Sequence, residues 1–448
     1  MFSRVLIANR GEIALRIIRA CAELGVETVA VYSEADAGAR YLELADDAVC
    51  IGPGPASESY LNIPRIISAA EITNVDAIHP GYGFLAENDE FAEICEETNI
   101  IFIGPTSETM RKMGSKIEAR RIAAEKKVPV LPGSGRAIES GDEAVQLANS
   151  IHYPVMIKAS AGGGGRGMRI AHNEMSLRNM LALARSEAAK AFKDDSVYLE
   201  KVLVGARHVE VQILGDKDGN VWHLGERDCS IQRRYQKLIE ETPSPGISDD
   251  TRNGLFKAAV LLAHAVKYTG AGTIEFLVDR DGRFYFMEMN TRLQVEHPVT
   301  EEVTGIDVVK AQIRVAAGER IDLSQRRMKF EGAAIECRIN AEDPADGFRA
   351  TPGRITEFIP PGGRNVRLDT HVYAGYEVPP FYDSMVAKLI VKGKDRQEAI
   401  NVLRRALAEF KVEGIKTTIP FYRDLIEHRL YASGRYDTTF VDEFAGQD

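Results

Sequence analysis

The chain has 448 residues, enough for roughly three domains of ordinary size, each with its own hydrophobic core. Its net charge of −10 argues against a nucleic-acid-binding protein, which needs positive charge to displace the counterions of the phosphate backbone. The apolar runs are too short for a membrane span or a signal peptide, and the five scattered cysteines have no CxxC spacing, which is typical of a cytoplasmic protein.

The first hundred residues predict alternating strands and helices. Apolar segments at 4–8 and 27–33 favour strands, and residues 12–24 between them have helical periodicity. Such alternation is typical of a parallel sheet with right-handed crossovers. The first strand-to-helix turn, Asn9 to Glu12, lacks the three-glycine dinucleotide fingerprint, so we expect a Rossmann-like domain over 1–128 that does not bind NAD.

A cluster of prolines and glycines at 129–135 marks a domain boundary. The segment 129–204 then predicts a small α+β domain, and 205–448 predicts a larger α+β domain. Within them we expect strands at 154–160, 168–171, 196–203, 208–216 and 220–227, and helices from about Ser176, over 252–268, and from Asp395.

Residues 162–167 contain five glycines in six positions. They formally match GxGxxG, but the predicted strand that follows replaces the helix that a dinucleotide site requires. No Lys-Ser/Thr pair follows either, so the loop is not a Walker A motif. We expect a flap whose N–H groups fold over phosphate oxygens, with the ammonium of Lys158 just before it. The alternative is an ordinary hairpin tip.

The stretch 273–290 places two carboxylates by means of a turn. Asp281-Gly282 between alternating β-forming residues predicts a two-residue hairpin loop. Counting outward from that loop places Glu275 opposite Glu288, with Asn290 on the same face. Facing carboxylates repel, and an oxygen-only ligand set suits Mg²⁺ or Mn²⁺. The alternatives are glutamates that face solvent or that pair with arginines.

These segments resemble the two signatures of the biotin carboxylases, members of the ATP-grasp superfamily. The matching runs are YPVMIKASAGGGGRGM (153–168) and FMEMNTRLQVEHPVTE (286–301), with further similarity at ANRGEIA (8–14), HPGYGFLAEN (79–88), ERDCSIQRR (226–234) and RINAEDP (338–344). The resemblance extends essentially from end to end. It implies an α/β ATP-grasp architecture, with a Rossmann-like N-terminal domain, a small α+β flap domain and a larger α+β C-terminal domain.

The resemblance also implies residues for each ligand. Those for the nucleotide are Lys116, Lys158, Gly164, Gly165, Glu200, Lys201, Val202, Leu203, His208 and Tyr235, the last standing where many members carry histidine. The metal ligands, for two Mg²⁺ or Mn²⁺ ions, are Glu275 and Glu288, with Asn290 beside them. The bicarbonate site is formed by Lys237, Arg292, Gln294, Val295 and Glu296, and Arg338 faces biotin.

The implied catalytic residues suit the implied chemistry. Glu296 removes the proton of bicarbonate as it attacks the γ-phosphate of ATP, while Arg292 and Lys237 hold the anion. The product is carboxyphosphate, which yields CO₂ beside biotin, and Arg338 stabilises the enolate-like oxygen that biotin then develops. We expect this to be the first half-reaction of acetyl-CoA carboxylase in fatty acid synthesis; propionyl-CoA and pyruvate carboxylase systems share the same half-reaction and are the alternatives.

Three other classes of protein stay open at this point. Another ATP-grasp ligase would lack bicarbonate dependence, and the run TRLQVEH (291–297) beside the metal hairpin argues against it. A nicotinamide-dependent oxidoreductase is disfavoured by the strand after the glycine loop. A nucleotide-binding regulator without catalysis is disfavoured because base, metal ligands and cations occur together. The expected partners are a biotin carboxyl carrier protein, carboxyltransferase subunits and a second copy of the chain.

The sequence predicts that biotin is carried by a separate chain. A biotinylated domain displays its lysine in an AMKM-like turn, and no such run occurs in the 448 residues. We therefore expect the purified protein to carry no covalent biotin on a streptavidin blot, with a biotinylated carrier protein as the positive control. A streptavidin signal on this polypeptide would contradict the prediction.

Overall fold

Residues 1–160, 168–192 and 194–445 are described by the computed structural model. The glycine loop predicted as a flap, including Gly164 and Gly165, lies outside these residues. Among the described helices, none is both long and apolar enough to cross a membrane.

The N-terminal part is built on a parallel sheet of five strands. Its elements are β1 (Arg4–Ile7), α1 (Gly11–Leu24), β2 (Glu27–Tyr32), β3 (Asp47–Cys50), α2 (Ile63–Ile72), β4 (Ala77–His79), α3 (Asp89–Glu97), β5 (Ile101–Phe102) and α4 (Ser107–Gly114). The strand order is β3-β2-β1-β4-β5, with parallel pairs throughout. The predicted Rossmann-like arrangement is confirmed, and it brings the ends of β1 and β4 side by side.

A small antiparallel sheet follows. Its region contains α5 (Lys116–Glu125), α6 (Gly141–Ile151), β6 (Val155–Ala159), β7 (Arg169–Ala171), α7 (Glu174–Phe192) and β8 (Val197–Lys201). The strands lie in the order β7-β6-β8, and α6 and α7 pack together through buried aliphatic residues. A strand at Arg169–Ala171 confirms that the glycine loop is not followed by the helix of a dinucleotide site.

The largest sheet has eight strands and carries most of the polar residues of interest. Its region begins with β9 (Arg207–Gly215), β10 (Val221–Arg233), β11 (Gln236–Thr242), α8 (Asp249–Ala265), β12 (Gly270–Val278), β13 (Phe284–Asn290), α9 (His297–Thr304) and α10 (Val308–Ala316). The strand order is β13-β12-β9-β10-β11, continued by three later strands, and neighbouring strands are antiparallel.

The remaining elements complete this sheet and add small two-stranded pairs. They are β14 (Ala333–Asn340), β15 (Glu342–Asp343), β16 (Arg349–Ala350), β17 (Gly353–Arg354), β18 (Glu357–Ile359), β19 (Val366–Thr370), β20 (Glu377–Val378), β21 (Met385–Gly393), α11 (Arg396–Glu409), β22 (Lys411–Glu413), α12 (Ile419–Leu425), α13 (Arg429–Ala432) and α14 (Phe440–Ala445). Strands β14, β21 and β19 follow β11 in the large sheet. The predicted N-cap of α11 is confirmed, since the Asp395 side chain accepts from the N–H of Glu398.

The hairpin between β12 and β13 has the predicted pairing but a different turn. Its loop is three residues long, because the N–H of Asp279 donates to the carbonyl of Arg283 at 2.8 Å, and Gly282 adopts a φ of 81°. The predicted two-residue loop is therefore wrong. A bulge at Met287 shifts the register back by one residue, so that Glu275 does lie opposite Glu288.

Candidate active site

The most constrained acidic side chain is Glu296, at the N-terminus of α9. It is fully buried, and each carboxylate oxygen accepts from a different cation: Lys237 at 2.6 Å and Arg338 at 2.9 Å. Burial by itself raises the pKa of this carboxyl, but Lys237 and Arg338 hold that pKa well below its usual range. Glu296 is therefore an ionised carboxylate shared by two cations.

Each of those cations has further carboxylate partners. The Lys237 ammonium also contacts Glu210 at 2.6 Å and Glu275 at 2.9 Å, and Arg338 donates to Glu240 at 2.6 Å. Burial acts to lower the pKa of Lys237, but the surrounding carboxylates raise it well above its usual range. The site is thus a continuous network of charges on β9, β11, β12 and β14.

The buried Arg227 is also part of this network of charges. Its guanidinium donates to Glu210 at 2.6 Å, to Gln212 at 2.7 Å and to Thr273 at 3.1 Å, so a fully buried charge has well-formed partners. With Arg227 counted, three cations face four carboxylates. Burial raises the pKa of Glu240 to about 7, and the neighbouring Glu296 adds to the rise, although Arg338 opposes it.

The residues that could bind a divalent metal lie on the hairpin at the edge of the large sheet. Glu275 is buried, and its oxygens accept from His208 at 3.0 Å, Asn290 at 2.8 Å and Gln294 at 3.2 Å, as well as from Lys237. Although burial raises the pKa of Glu275, Lys237 and His208 keep it below its usual range. A permanently ionised oxygen donor fits a hard cation such as Mg²⁺.

The opposing carboxylate, Glu288, is a quarter exposed, and the nearest cation is Lys116, whose ammonium lies 3.4 Å from it. The alternative in which the two glutamates pair with arginines is excluded for Glu275, whose cationic partners are Lys237 and His208. Two carboxylates and an amide oxygen on one hairpin form a donor set that fits magnesium chemistry.

Arg292 projects from the segment after β13 and contacts the N-terminal part of the chain. Its guanidinium donates to Glu87 at 2.8 Å, to Gln294 at 3.1 Å and to Asn290 at 3.2 Å. The second oxygen of Glu87 accepts from the N–H of Thr291 at 3.1 Å. Glu87 therefore orients the fork of Arg292 beside the hairpin.

A second ionic cluster lies at the small sheet. The carboxylate of Glu200, at 2% exposure, contacts both Lys158 and Arg120, and Arg120 also donates to the carbonyl of Leu131 at 2.6 Å. Burial opposes ionisation of Glu200, but Lys158 and Arg120 lower its pKa. Glu200, which is predicted to contact adenine or ribose, is thus paired with Lys158, which is predicted to bind phosphate.

Other predicted nucleotide residues lie on two separate parts of the chain. Lys201 ends β8 and donates to the carbonyl of His152 at 2.8 Å, and Val202 and Leu203 continue into the connection to β9. Tyr235 is 44% exposed in the turn between β10 and β11, where Arg234 and Tyr235 both have positive φ, as a type I′ hairpin requires.

Sequence reasoning missed several residues that complete the site. They are Glu210, Arg227, Glu240, Glu87 and Arg120. The alternation of polar His208, Glu210 and Gln212 with apolar neighbours resembles a half-exposed strand, but both faces of β9 are buried. The signal that could have identified Glu210 is Arg227 in the next predicted strand, since the two residues are cross-strand partners.

Comparison with known proteins gives family matches over most of the chain. The biotin carboxylase N-terminal domain family matches residues 1–110, and the biotin carboxylase C-terminal domain family matches 336–443. Between them, the ATP-binding domain family of the carbamoyl-phosphate synthase L chain matches 115–324. Biotin carboxylase 1 of Bacillus subtilis is 56% identical over 445 residues, which is 99% of each chain.

Two solved structures have the same fold. A biotin carboxylase–β,γ-ATP complex from Campylobacter jejuni superposes with a TM-score of 0.97 at 51% identity and covers 99% of both chains. The biotin carboxylase domain dimer of Hydrogenobacter thermophilus 2-oxoglutarate carboxylase, with MgADP, ADP and bicarbonate, gives 0.96 at 48% identity and covers 99% of this chain and 98% of that one. Fold and site together define an ATP-dependent ligase of the ATP-grasp class. Within that class, the chain belongs to the biotin carboxylase family.

The Glu200 cluster leads to a stability prediction. Glu200→Gln leaves Lys158 and Arg120 buried without their counter-charge, so we expect the free energy of unfolding to fall by about 3 kcal/mol. The control is Glu187→Gln, which breaks the partly exposed pair with Arg169 and should change it by less than about 1 kcal/mol. Urea denaturation measures both, and equal effects would contradict the buried-pair interpretation.

Proposed function

We propose that this chain carboxylates biotin on a separate carrier protein, consuming ATP and bicarbonate. The observation that carries the proposal is the buried carboxylate of Glu296 between Lys237 and Arg338. A base next to two cations is what the attack of a weakly nucleophilic anion on a phosphate requires, because the cations hold the anion while the base removes its proton.

In the first step, an oxygen of bicarbonate attacks the γ-phosphorus of ATP, and ADP leaves, which forms carboxyphosphate. Glu296 takes the proton of bicarbonate, and Arg292, Lys237, Gln294 and Val295 hold the anion. While Lys237 and Arg338 both contact Glu296, the pKa of its carboxyl is low and the carboxylate is a weak base. An anion that draws Lys237 towards itself weakens that restraint and raises the basicity of Glu296 when the substrate is in place.

In the second step, carboxyphosphate breaks into CO₂ and phosphate, the phosphate takes the ureido proton of biotin, and the ureido nitrogen attacks CO₂. The guanidinium of Arg338 stabilises the negative charge that develops on the ureido oxygen. Arg338 also donates to Glu240, so the guanidinium keeps a carboxylate partner after Glu296 has been protonated.

The metal and nucleotide residues are assigned as the family resemblance implies. Glu275 and Glu288, with Asn290 beside them, would hold two Mg²⁺ or Mn²⁺ ions, which neutralise charge on the polyphosphate when bound. The ammonium groups of Lys116 and Lys158 would contact the phosphates, and Gly164 and Gly165 are assigned to the same ligand by the resemblance. The chain between Glu200 and Leu203, with His208 and Tyr235, would contact adenine and ribose.

The proposal extends to domains and partners. The division is a Rossmann-like domain over 1–128, a flap domain over 129–204, and a C-terminal domain over 205–448 that carries metal, bicarbonate and biotin. The partners are a biotin carboxyl carrier protein, carboxyltransferase subunits and a second copy of this chain in a cytoplasmic homodimer. We assign the acceptor system to acetyl-CoA carboxylase, with propionyl-CoA and pyruvate carboxylase as the alternatives.

The two halves of the reaction can be separated by substitution. Glu288→Gln should damage metal binding, so bicarbonate-dependent ATP cleavage and biotin carboxylation should fall together. Arg338→Ala should reduce carboxybiotin formation by about 10²–10³-fold, whereas carboxyphosphate still forms and decomposes. Phosphate release and carboxybiotin, measured in the same reaction, should therefore uncouple only in the arginine variant.

Arg404→Ala is the control, because Arg404 pairs with Glu427 on the surface and should leave both activities unchanged. Equal loss of both activities in Arg338→Ala would move this residue from the biotin step to bicarbonate binding.

A further inference from the structure

Lys388 lies beside the active site but has no part in the steps above. Its side chain has no exposed surface, and its ammonium donates to the main-chain carbonyl of Val295 at 3.0 Å and forms a salt bridge with Glu12 at 3.1 Å. On the sheet it is the cross-strand partner of Arg338, on the same face. Lys388 and Arg338 are therefore neighbouring cations, and both contact the short segment Val295–Glu296.

These neighbouring cations hold consecutive residues of that segment. Arg338 contacts the carboxylate of Glu296, and Lys388 contacts the carbonyl of Val295. The carbonyl of Val295 and the N–H of Glu296 share one planar peptide group, so a cation that fixes the carbonyl also fixes the direction of the N–H. Lys388 thus sets the orientation of the backbone that carries the base.

The other partners of Lys388 come from the N-terminal part of the chain. The hydroxyl of Tyr82 donates to the same oxygen of Glu12 that Lys388 contacts, and the ammonium lies 5.8 Å from the centre of the Tyr82 ring. Asn9 in turn donates to the carbonyls of Pro80 at 2.7 Å and Tyr82 at 2.8 Å. Residues of the runs ANRGEIA and HPGYGFLAEN are therefore both neighbours of the Lys388 ammonium.

A buried ammonium has an energetic cost that packing alone does not explain. Burial disfavours the charged form of Lys388, and Glu12 and Glu336 offset that effect. Apolar residues of similar volume often serve a fold at least as well as a buried ion pair. The Lys388 ammonium instead donates to the backbone carbonyl next to the base, and this contact fits a role in orienting that backbone.

We propose that Lys388, held in place by Glu12, is a positioning residue that orients the Val295–Glu296 peptide for bicarbonate. The inference rests on the proposed function and deepens it, since it assigns a role in the bicarbonate site to the first strand-to-helix turn of the chain. Neither residue touches the reacting atoms. Their effect should therefore appear in the bicarbonate dependence of ATP cleavage rather than in its ATP dependence.

The test uses Lys388→Met, Glu12→Gln and the double variant. Lys388→Met should raise the KM for bicarbonate by about 10- to 100-fold. The KM for ATP should stay within about twofold of the parent value, because the ATP site is not touched. Lys388→Met also leaves Glu12 buried without its counter-charge, so its melting temperature should fall.

The double variant separates positioning from stability. It removes both charges, so the melting temperature should recover, whereas the KM for bicarbonate should stay high because nothing holds the carbonyl of Val295. Recovery of both quantities would overturn the proposal, since Lys388 would then serve only as the counter-ion of Glu12. If Lys388→Met alone fails to fold, the double variant decides the question by the same criterion.

A matched control lies on the same strand. Lys392 donates at 2.5 Å to the carbonyl of Glu302, which lies near the C-terminal end of α9, away from Val295. Lys392→Met should leave the KM for bicarbonate unchanged, and an equal rise in both lysine variants would also overturn the proposal. Absence of bicarbonate-dependent ATP cleavage in the parent protein would instead refute the proposed function, and the inference with it.

Discussion

The proposed active site depends on one buried carboxylate that two cations share. Glu296 is fully buried, and such a charge persists only where its partners are well placed, because the desolvation of an isolated carboxylate is very costly. Lys237 and Arg338 supply those partners, but each of them is itself largely buried and needs further counter-charges. Glu210, Glu240 and Glu275 are therefore part of the same constraint.

The eight-stranded sheet is what makes such a network possible. Antiparallel neighbours place cross-strand side chains about 5 Å apart on one face, so charges on successive strands meet without long loops. Arg227 with Glu210 and Glu275 with Glu288 are partners of this kind. The apolar residues between them on the same strands belong to the cores, which hold the polar row in a fixed geometry.

The N-terminal parallel sheet and the hairpin that carries Glu275 and Glu288 could be predicted from the sequence in part. Alternation and turn chemistry were sufficient for the N-terminal parallel sheet, for the strand after the glycine loop and for the pairing of Glu275 with Glu288. The predicted pairing of Glu275 with Glu288 was correct although the predicted loop was one residue too short. The bulge at Met287 shifts the register by one residue and so compensates for the third loop residue. Such compensating irregularities leave no local signal in a single sequence.

Long-range charge partners could not be predicted in this way. Glu87 and Arg292 are far apart in sequence, and so are Glu12 and Lys388, and neither pair has a periodicity that would connect them. Polar alternation in β9 predicts a face towards solvent, whereas the structure covers that face with neighbouring charged groups. The groups that cover this face are Arg227, Lys237 and Glu275, which only the pairing of the strands in three dimensions brings next to β9.

The central step of the proposed reaction is direct attack of bicarbonate on the γ-phosphorus of ATP. The most direct measurement is turnover with ¹⁸O-labelled bicarbonate in unlabelled water, followed by mass spectrometry of the released phosphate. If bicarbonate attacks, the oxygen that bridges carbon and phosphorus in carboxyphosphate stays with phosphorus, so each phosphate gains one oxygen atom from bicarbonate. Phosphate without the label would mean that water attacks ATP, which would contradict the role given to Glu296 and its two cations.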